Sequence, residues 1–579
     1  MSTSAHSHPS AAPTGITGWP RAALLSLSDK TGAAEFAAVL AAGGTQILAS
    51  GGTAAHLVRA GVKVTPVEDW TGFSELLGGR VKTLHPHVHA PILARRGSPD
   101  DMAELAGKGL VPLDLVAVPL YPFEDRGRSL DDAGMVEEID IGGVALLRAA
   151  AKNHDGVIVI HDPAQYAEVA EAVARGVTPV DRRRWALGAF TRTARYDAAI
   201  AAEMARRLSA PDEPPAMQAL VLERARTLRY GENPHQQAAL YVSGGAATGL
   251  AAHRELKELS YNNLLDLDAA VSLVGRFERP ACVIVKHNQP CGAASAETQT
   301  EAYLRALAAD PLSAFGGIVA FNRPLAGTTA TEVAKLFVEC VAFPSISPEA
   351  DAVLSAKKNL RLVRLSASDL APSAEWQLKP VGPWVLAQRN SGSKPPPWRT
   401  VTRRAPSAAE MSALMFAWEI ADAARSNAIA LAMGEALIGL GSGQTSRVDA
   451  VDVALMKARR AGHDVKGSVL ASDGFFPFPD GVTHAADAGV TAIVQPGGSV
   501  KDGAVIAEAD RLGVAMVFTD RRVFRHLSRG VFVWMQPNVG RSRWRHTPSP
   551  RCCSCSALAA SSGSGRATTR RRAPSTSAS

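Results

Sequence analysis

This sequence is poor in cysteine, poor in aromatics and without a long apolar run, and each shortage removes a class of protein. Six cysteines in 579 residues do not make a disulfide framework. Cys282, Cys291 and Cys340 are scattered through the body, while Cys552, Cys553 and Cys555 fall near the end. That usage fits a reducing compartment, and the chain reads as cytoplasmic. No stretch approaches the roughly 18–20 continuous apolar residues of a spanning helix, so no membrane association is expected. The opening MSTSAHSHPSAAPTGITGWP has neither a basic start nor an apolar core, so residues 1–20 read as a flexible leader rather than a secretory signal. With 46% hydrophobic and 20% charged residues, the composition is that of a soluble globular chain, long enough for about two to four domains.

Acidic residues are missing from one region. From Leu527 to Ser579 there are nine arginines and no lysine, aspartate or glutamate. Setting those nine charges aside takes the formal net charge from +7 to −2 for residues 1–526. The body is nearly neutral, unlike the basic folded surface expected of a nucleic-acid enzyme; at most the tail binds RNA weakly by charge. Residues 527–579 lose all periodicity and read as a basic disordered tail. The same arginine, serine and proline mixture is what a shifted reading frame produces.

What is present is an alternation of short apolar runs and helical stretches. Residues 22–27, 31–44, 46–50 and 53–61 follow in βαβα order, which implies a parallel sheet covered by helices. The theme continues through 114–120 and 157–162 to a helical 197–208. A proline-rich segment, 209–222, reads as a linker between a first domain, 21–208, and a second α/β region, 223–526, with apolar runs at 281–287, 317–322, 428–433, 437–443, 467–472, 491–498 and 514–520. No internal repeat is visible.

Several segments carry chemistry. The stretch 49-ASGGTAAH-56 joins a strand to a helix, where glycines and a helix start favour an anion; a plain turn is the alternative. The first strand ends in 26-SLSDKTG-32, and ligands of parallel sheets sit at such carboxyl ends. Lys30-Thr31 lacks the upstream glycine loop of a nucleotide-triphosphate site. In 80-RVKTLHPHVHAPILARR-96, Arg80, Lys82, His85, His87 and His89 gather around Pro86, which is expected to forbid a regular helix; no carboxylate or thiol joins the histidines at ligand spacing, so an anion-binding loop is favoured over a metal. Asp140 precedes Gly142-Gly143, with Lys152 at the far end of an amphipathic helix. The polar segments 228-LRYGENPHQQAALY-241 and 258-ELSYNNLLDLDAA-270 fit neither core nor linker. In 283-VIVKHNQPCGAA-294, a buried strand ends at Lys286 and His287, after which Pro290 and Gly292 are expected to turn the chain away. The zinc deaminase pattern fails there, because neither H-x-E nor P-C-x-x-C is complete.

Taken in order, LSDKTG, SGGT, GRVKTLHP, IDIGG, RAAAKNH, LRYGENPHQ, ELSYNN, SAFGGIVAFN, SNAIAL, GSGQTSRVD, LASDGFFPF, QPGGS and VFRH resemble the bifunctional purine biosynthesis enzymes across residues 21–526. These join aminoimidazolecarboxamide ribonucleotide (AICAR) formyltransferase to inosine monophosphate (IMP) cyclohydrolase. The resemblance implies an α/β fold: an N-terminal methylglyoxal-synthase-like parallel-sheet domain, then two cytidine-deaminase-like transformylase subdomains without zinc. It implies 10-formyltetrahydrofolate as formyl donor, no metal, and a homodimer. For formyl transfer the matching positions are His287 as proton acceptor and Lys286 as electrophilic helper. Arg229, Tyr230, Gly316, Glu339, Asn427 and Arg447 fall on the nucleotide side, and Asp480, Ser499 and Arg522 on the folate side. For ring closure the pattern maps to Lys82, Tyr121, Asp140 and Lys152. Phosphate falls to Ser28, Asp29, Lys30, Thr31, Ser50, Gly51, Gly52 and Thr53, with Arg80 and Thr83 beside it. Two departures stand out: Pro119 replaces a usual asparagine and is expected to weaken ring closure, and Gln289 replaces a residue more often asparagine.

Overall fold

The computed structural model describes residues 18–121, 123–209, 221–243, 251–254, 258–366, 376–389 and 397–526, with 213, 214, 216 and 219. The leader up to residue 17, half of the 209–222 segment and the 527–579 tail lie outside the described residues.

The first apolar runs form the sheet their pattern predicts. Strands β1 (Ala22–Leu25), β2 (Gln46–Ala49), β3 (Thr65–Pro66), β4 (Leu115–Ala117) and β5 (Ile158–Ile160) lie in the order β3-β2-β1-β4-β5, all parallel. Leu24, Leu25, Leu48 and Val116 are fully buried, as strands covered by helices on both faces must be. The helical run 197–208 proves to be the end of one 30-residue helix, Pro179–Leu208. Thr178 caps its start, with Asp181 answering from the third position.

The second region holds two six-stranded sheets built to one plan. The first comprises β8 (Ala251–Arg254), β9 (Ala281–Lys286), β10 (Gln289–Ser295), β11 (Ile318–Phe321), β12 (Cys340–Phe343) and β13 (Arg361–Arg364), in the order β10-β9-β11-β12-β13-β8. The second comprises β16 (Arg399–Thr400), β17 (Ile429–Ala432), β18 (Leu437–Gly441), β19 (Val469–Ser472), β20 (Ala492–Gln495) and β21 (Ala515–Phe518), in the order β16-β21-β20-β19-β17-β18. In each, an antiparallel hairpin leads into three parallel strands and an antiparallel edge strand closes the far side. The sequence shows no repeat, yet the topology repeats. The reason is that pairing direction depends on the apolar pattern and loop lengths, which survive substitutions that erase residue identity.

The helices Tyr261–Val274 and Ala408–Ala423 occupy the same place in the two plans and share one core with both sheets, which includes Leu267, Val271, Val283, Val285, Leu414, Ala417 and Ala430. Among the described residues two hairpins complete the strands: β6 (Leu222–Leu228) with β7 (Ala238–Ser243), and β14 (Trp376–Val381) with β15 (Trp384–Arg389). The polar segment 228–241 is thus the connection of the first hairpin together with its flanking strand residues. None of the described helices is long and apolar enough to cross a membrane.

Candidate functional sites

The carboxyl ends of β1 and β2 meet, as the strand order requires. The Ser26 and Ser50 hydroxyls are 3.1 Å apart, and the Leu27 N–H donates to Thr53 Oγ1 at 3.0 Å. Ser50 precedes the helix Gly51–Arg59. Asp29 accepts from the Thr31 N–H at 2.9 Å and its hydroxyl at 2.7 Å; these bonds hold its carboxyl below the usual range. Lys30 is half-buried between them. Ser28 donates to the carbonyl of Pro119 at 2.7 Å, tying the end of β1 to the segment after β4. Gly51 leaves room for the Lys82 ammonium, which a Cβ there would overlap, and Gly52 faces open space. Lys82 donates to Glu75 at 2.7 Å. Arg80 pairs with Glu137, and Thr83 is buried with its hydroxyl against Gly142.

Two cavities flank this region. One of about 650 Å³ is lined by Asp140, Lys152, His89, Arg148 and Asp197 among others. The other, of about 1000 Å³, is lined by Ser28, Asp29, Tyr121, His161 and Arg192 among others. Asp140 accepts from the Gly143 N–H at 2.7 Å, and its own N–H donates to the Tyr196 hydroxyl at 2.7 Å. Burial raises the Asp140 carboxyl above its ordinary value despite the Gly143 bond. His89 is driven toward the neutral form by burial. Lys152 is the last residue of the helix Gly142–Lys152, as its spacing predicts. Pro86 is a correction: it does not forbid a helix but opens one, Pro86–Leu93, as its first residue. Proline has no N–H to lose there and its φ suits the helix. His85 caps that helix, accepting from the His87 N–H at 3.1 Å.

The opening of the second region also needs a correction. Pro290 and Gly292 do not turn the chain away; they lie inside β10, antiparallel to β9, with a register shift between them. The turn is His287-Asn288 itself, with φ 53° and 60°, the two left-handed residues of a two-residue hairpin. Lys286 ends β9 half-buried, and His287 is exposed at the tip. The Lys286 ammonium donates to the carbonyls of Phe315 at 2.8 Å and Gly316 at 3.0 Å. Gly316, with φ 69°, has no Cβ to crowd that ammonium. Gln289 accepts from the Arg425 N–H at 2.9 Å and the Ser442 hydroxyl at 2.5 Å, so its amide ties the hairpin to the second sheet's region.

Asn427 and Arg447 are joined directly. Arg447 donates to Asn427 Oδ1 at 2.7 Å, to Ser472 Oγ at 3.1 Å, and pairs with fully buried Asp473. The Phe524 ring lies near both Arg447, at 5.8 Å, and Arg522, at 4.6 Å. Glu339 accepts from Asn263 at 2.8 Å. Arg229 lies 5.6 Å from the ring of Tyr230 beyond β6. Asp480 opens the helix Asp480–Asp487, and the Ser499 N–H donates to Asp502 at 3.1 Å.

A family model described as "AICARFT/IMPCHase bienzyme" matches residues 150–457, and one described as "MGS-like domain" matches residues 32–145. The chain belongs to the AICARFT/IMPCHase bienzyme family. Curated relatives named "Bifunctional purine biosynthesis protein PurH" agree. That of Persephonella marina is 45% identical over 87% of this chain and 100% of its own. That of Chelativorans sp. is 47% identical over 87% and 97%, and that of Synechococcus elongatus 46% over 88% and 100%. The bienzyme's activities are AICAR formyl transfer and IMP ring closure, the last two steps of purine biosynthesis.

Sequence reasoning passed over several residues of this bienzyme that hold those positions in place. Tyr196 lies in no motif, and Asp473 and Asp266 lie within LASDGFFPF and ELSYNNLLDLDAA without being singled out; each matters because a distant segment folds against it. Among the described residues no cluster of three His, Cys, Asp or Glu is arranged to hold a metal.

Proposed function

We propose that formyl transfer runs at Lys286 and His287, and ring closure around Asp140, Lys152, Lys82 and Tyr121. The observation that carries the first is the state of the Lys286 ammonium. Two of its three N–H groups are taken by the carbonyls of Phe315 and Gly316, leaving one donor in a fixed direction. The AICAR amine attacks the formyl carbon of 10-formyltetrahydrofolate, and Lys286 stabilises the developing oxyanion. His287 takes the amine proton, a contribution of about 10²–10⁴ in rate. The carbon–nitrogen bond to folate then breaks, releasing tetrahydrofolate and formyl-AICAR. Arg229, Tyr230, Gly316, Glu339, Asn427 and Arg447 hold the nucleotide. Asp480, Ser499 and Arg522 face the folate; the exposed Arg522 guanidinium over the exposed Phe524 ring suits an aromatic, carboxylated co-substrate.

In ring closure the carboxamide nitrogen of formyl-AICAR attacks the formyl carbon, and water leaves. Asp140 and Lys152 line one cavity and move the protons; Lys82 and Tyr121 orient the substrate. The Ser28–Thr31 and Ser50–Thr53 turns, with Arg80 and Thr83, receive the phosphate. Pro119 still supplies the carbonyl that anchors Ser28, which favours a working site. The protein is proposed to act in the cytoplasm as a homodimer, with its domains at 21–208 and 223–526.

The test is an assay with two starts. One tube receives AICAR with 10-formyltetrahydrofolate, the other preformed formyl-AICAR. IMP in both is expected. Folate turnover with formyl-AICAR left unclosed would overturn the ring-closure half. Silence in both from folded protein would overturn the assignment of Lys286 and His287. Sedimentation at micromolar concentration tests the dimer.

A further inference from the structure

The segment ELSYNNLLDLD has so far no chemical part to play, and its geometry supplies one. It forms the start of the helix Tyr261–Val274, capped by Ser260 with Asn263 answering from the third position. Leu267, Val271 and Val274 bury one side of this helix against β9 and β11, so its register is fixed by packing. Asn263 and Asp266 are three apart, on neighbouring positions of one face. Asn263 donates to Glu339 at 2.8 Å. Asp266 Oδ1 accepts the Asn288 N–H at 2.5 Å, and the neighbouring backbone N–H of His287 also favours the charge of this carboxylate.

Successive backbone N–H groups of a tight turn can face one anion together. His287 and Asn288, at φ 53° and 60°, form such a turn, and Asp266 faces it. Neither is glycine, so each left-handed backbone is held at a cost. We propose that Asp266 is a positioning residue for formyl transfer: its carboxylate holds the His287-Asn288 turn and thereby fixes the direction in which the His287 imidazole leaves the hairpin. The inference rests on the reading of His287 as the proton acceptor. One helix therefore sets both Glu339 and the catalytic turn, and the segment's polar character follows. Burial raises the Asp266 carboxyl above its ordinary value, and those same N–H groups oppose that rise only in part.

The experiment uses full-length Asp266→Ala, Asp266→Asn, Asn288→Gly, both Asp266 variants combined with Asn288→Gly, and His287→Ala, each assayed for both reactions. Asp266→Ala is expected to lower kcat of formyl transfer by about 10- to 100-fold, the scale of a small misplacement. KM for AICAR should stay within about twofold, and closure of formyl-AICAR, which lies elsewhere in the chain, should be unaffected. Asp266→Asn keeps an acceptor oxygen and should lose less. The loss of kcat caused by either Asp266 change should be smaller in the Asn288→Gly background than in the wild-type turn, because glycine adopts the left-handed region freely. Unchanged kcat in Asp266→Ala, or an equal loss in the Asn288→Gly background, would overturn the proposal. If Asp266→Ala fails to fold, Asp266→Asn with and without Asn288→Gly decides on the same criterion. If His287→Ala leaves formyl transfer intact, the reading of His287 falls instead.

Discussion

At the scale of single residues, the two proposed sites place their charged groups in opposite conditions. Arg447 is buried and spends its guanidinium on Asp473, Ser472 and Asn427. Arg447→Ala strands the Asp473 carboxylate without a counter-ion, and the expected cost is about 3–5 kcal/mol, read as a lower urea midpoint together with lost formyl transfer. An unmoved midpoint would mean the pair is not structural. Asp140 instead sits with one backbone donor and a carboxyl raised by burial. The folded protein therefore keeps the Asp140 proton to higher pH than the unfolded chain does. Its stabilising share is complete below the unfolded pKa and is lost as pH rises through the raised folded value. Asp140→Asn should remove that loss, so that the urea midpoint of the variant falls less than wild type as pH climbs out of the ordinary carboxylate range. The cyclohydrolase kcat should show its acid limb above that range in the wild type and no such limb in Asp140→Asn. His89, Lys152, Arg148 and Asp197 line the same cavity, so the limb is assigned by its absence in the variant, not by its position.

At the scale of elements, packing of small residues sets how closely helices approach the sheets. A Cβ at Gly441 on β18 would overlap the Ala450 carbonyl of the helix Arg447–Arg460, whereas one at Gly503, inside the helix Asp502–Leu512, would meet nothing within 4 Å. Gly441→Ala is expected to destabilise by about 1–3 kcal/mol, and Gly503→Ala to be neutral or slightly stabilising; comparison of their thermal midpoints checks both. Equal midpoints would contradict the close contact of β18 with that helix. Much at this scale is legible beforehand. The runs at 22–27, 46–50, 281–287, 317–322 and 491–498 each contain a strand, because a sheet buried on both faces writes itself as a continuous apolar run. The short strands β12 and β13 escape notice, since CVAF and RLVR are too brief and mixed to separate from helix. Pro86 and Pro290 were legible as punctuation but not as to its kind: one opens a helix and the other lies in a strand next to a register shift.

At the scale of the whole molecule, the relatives are matched over 97–100% of their own length by 87–88% of this chain. A stretch about the size of the leader and tail thus has no counterpart in them. Truncation after His526 is expected to leave both activities unchanged and to abolish retention on an immobilised polyanion at low salt; loss of activity would show that the nine-arginine tail serves the enzyme. The sequence by itself determined the class of fold, the order of the longer apolar strands and, through the family its motifs resemble, the two chemistries, because apolar period and motif order are local properties that need no partner to be read. Lys286, His287, Asp140 and Lys152 were all visible in that way. Only the tertiary structure decided that His287 stands in a left-handed turn, that Asp266 comes from a separate helix to hold it, and that Arg447 is anchored on Asp473. It alone also decided that two dissimilar halves follow one sheet plan. These depend on which distant segments the core brings together, and burial is what makes one backbone N–H or one carboxylate find its partner there.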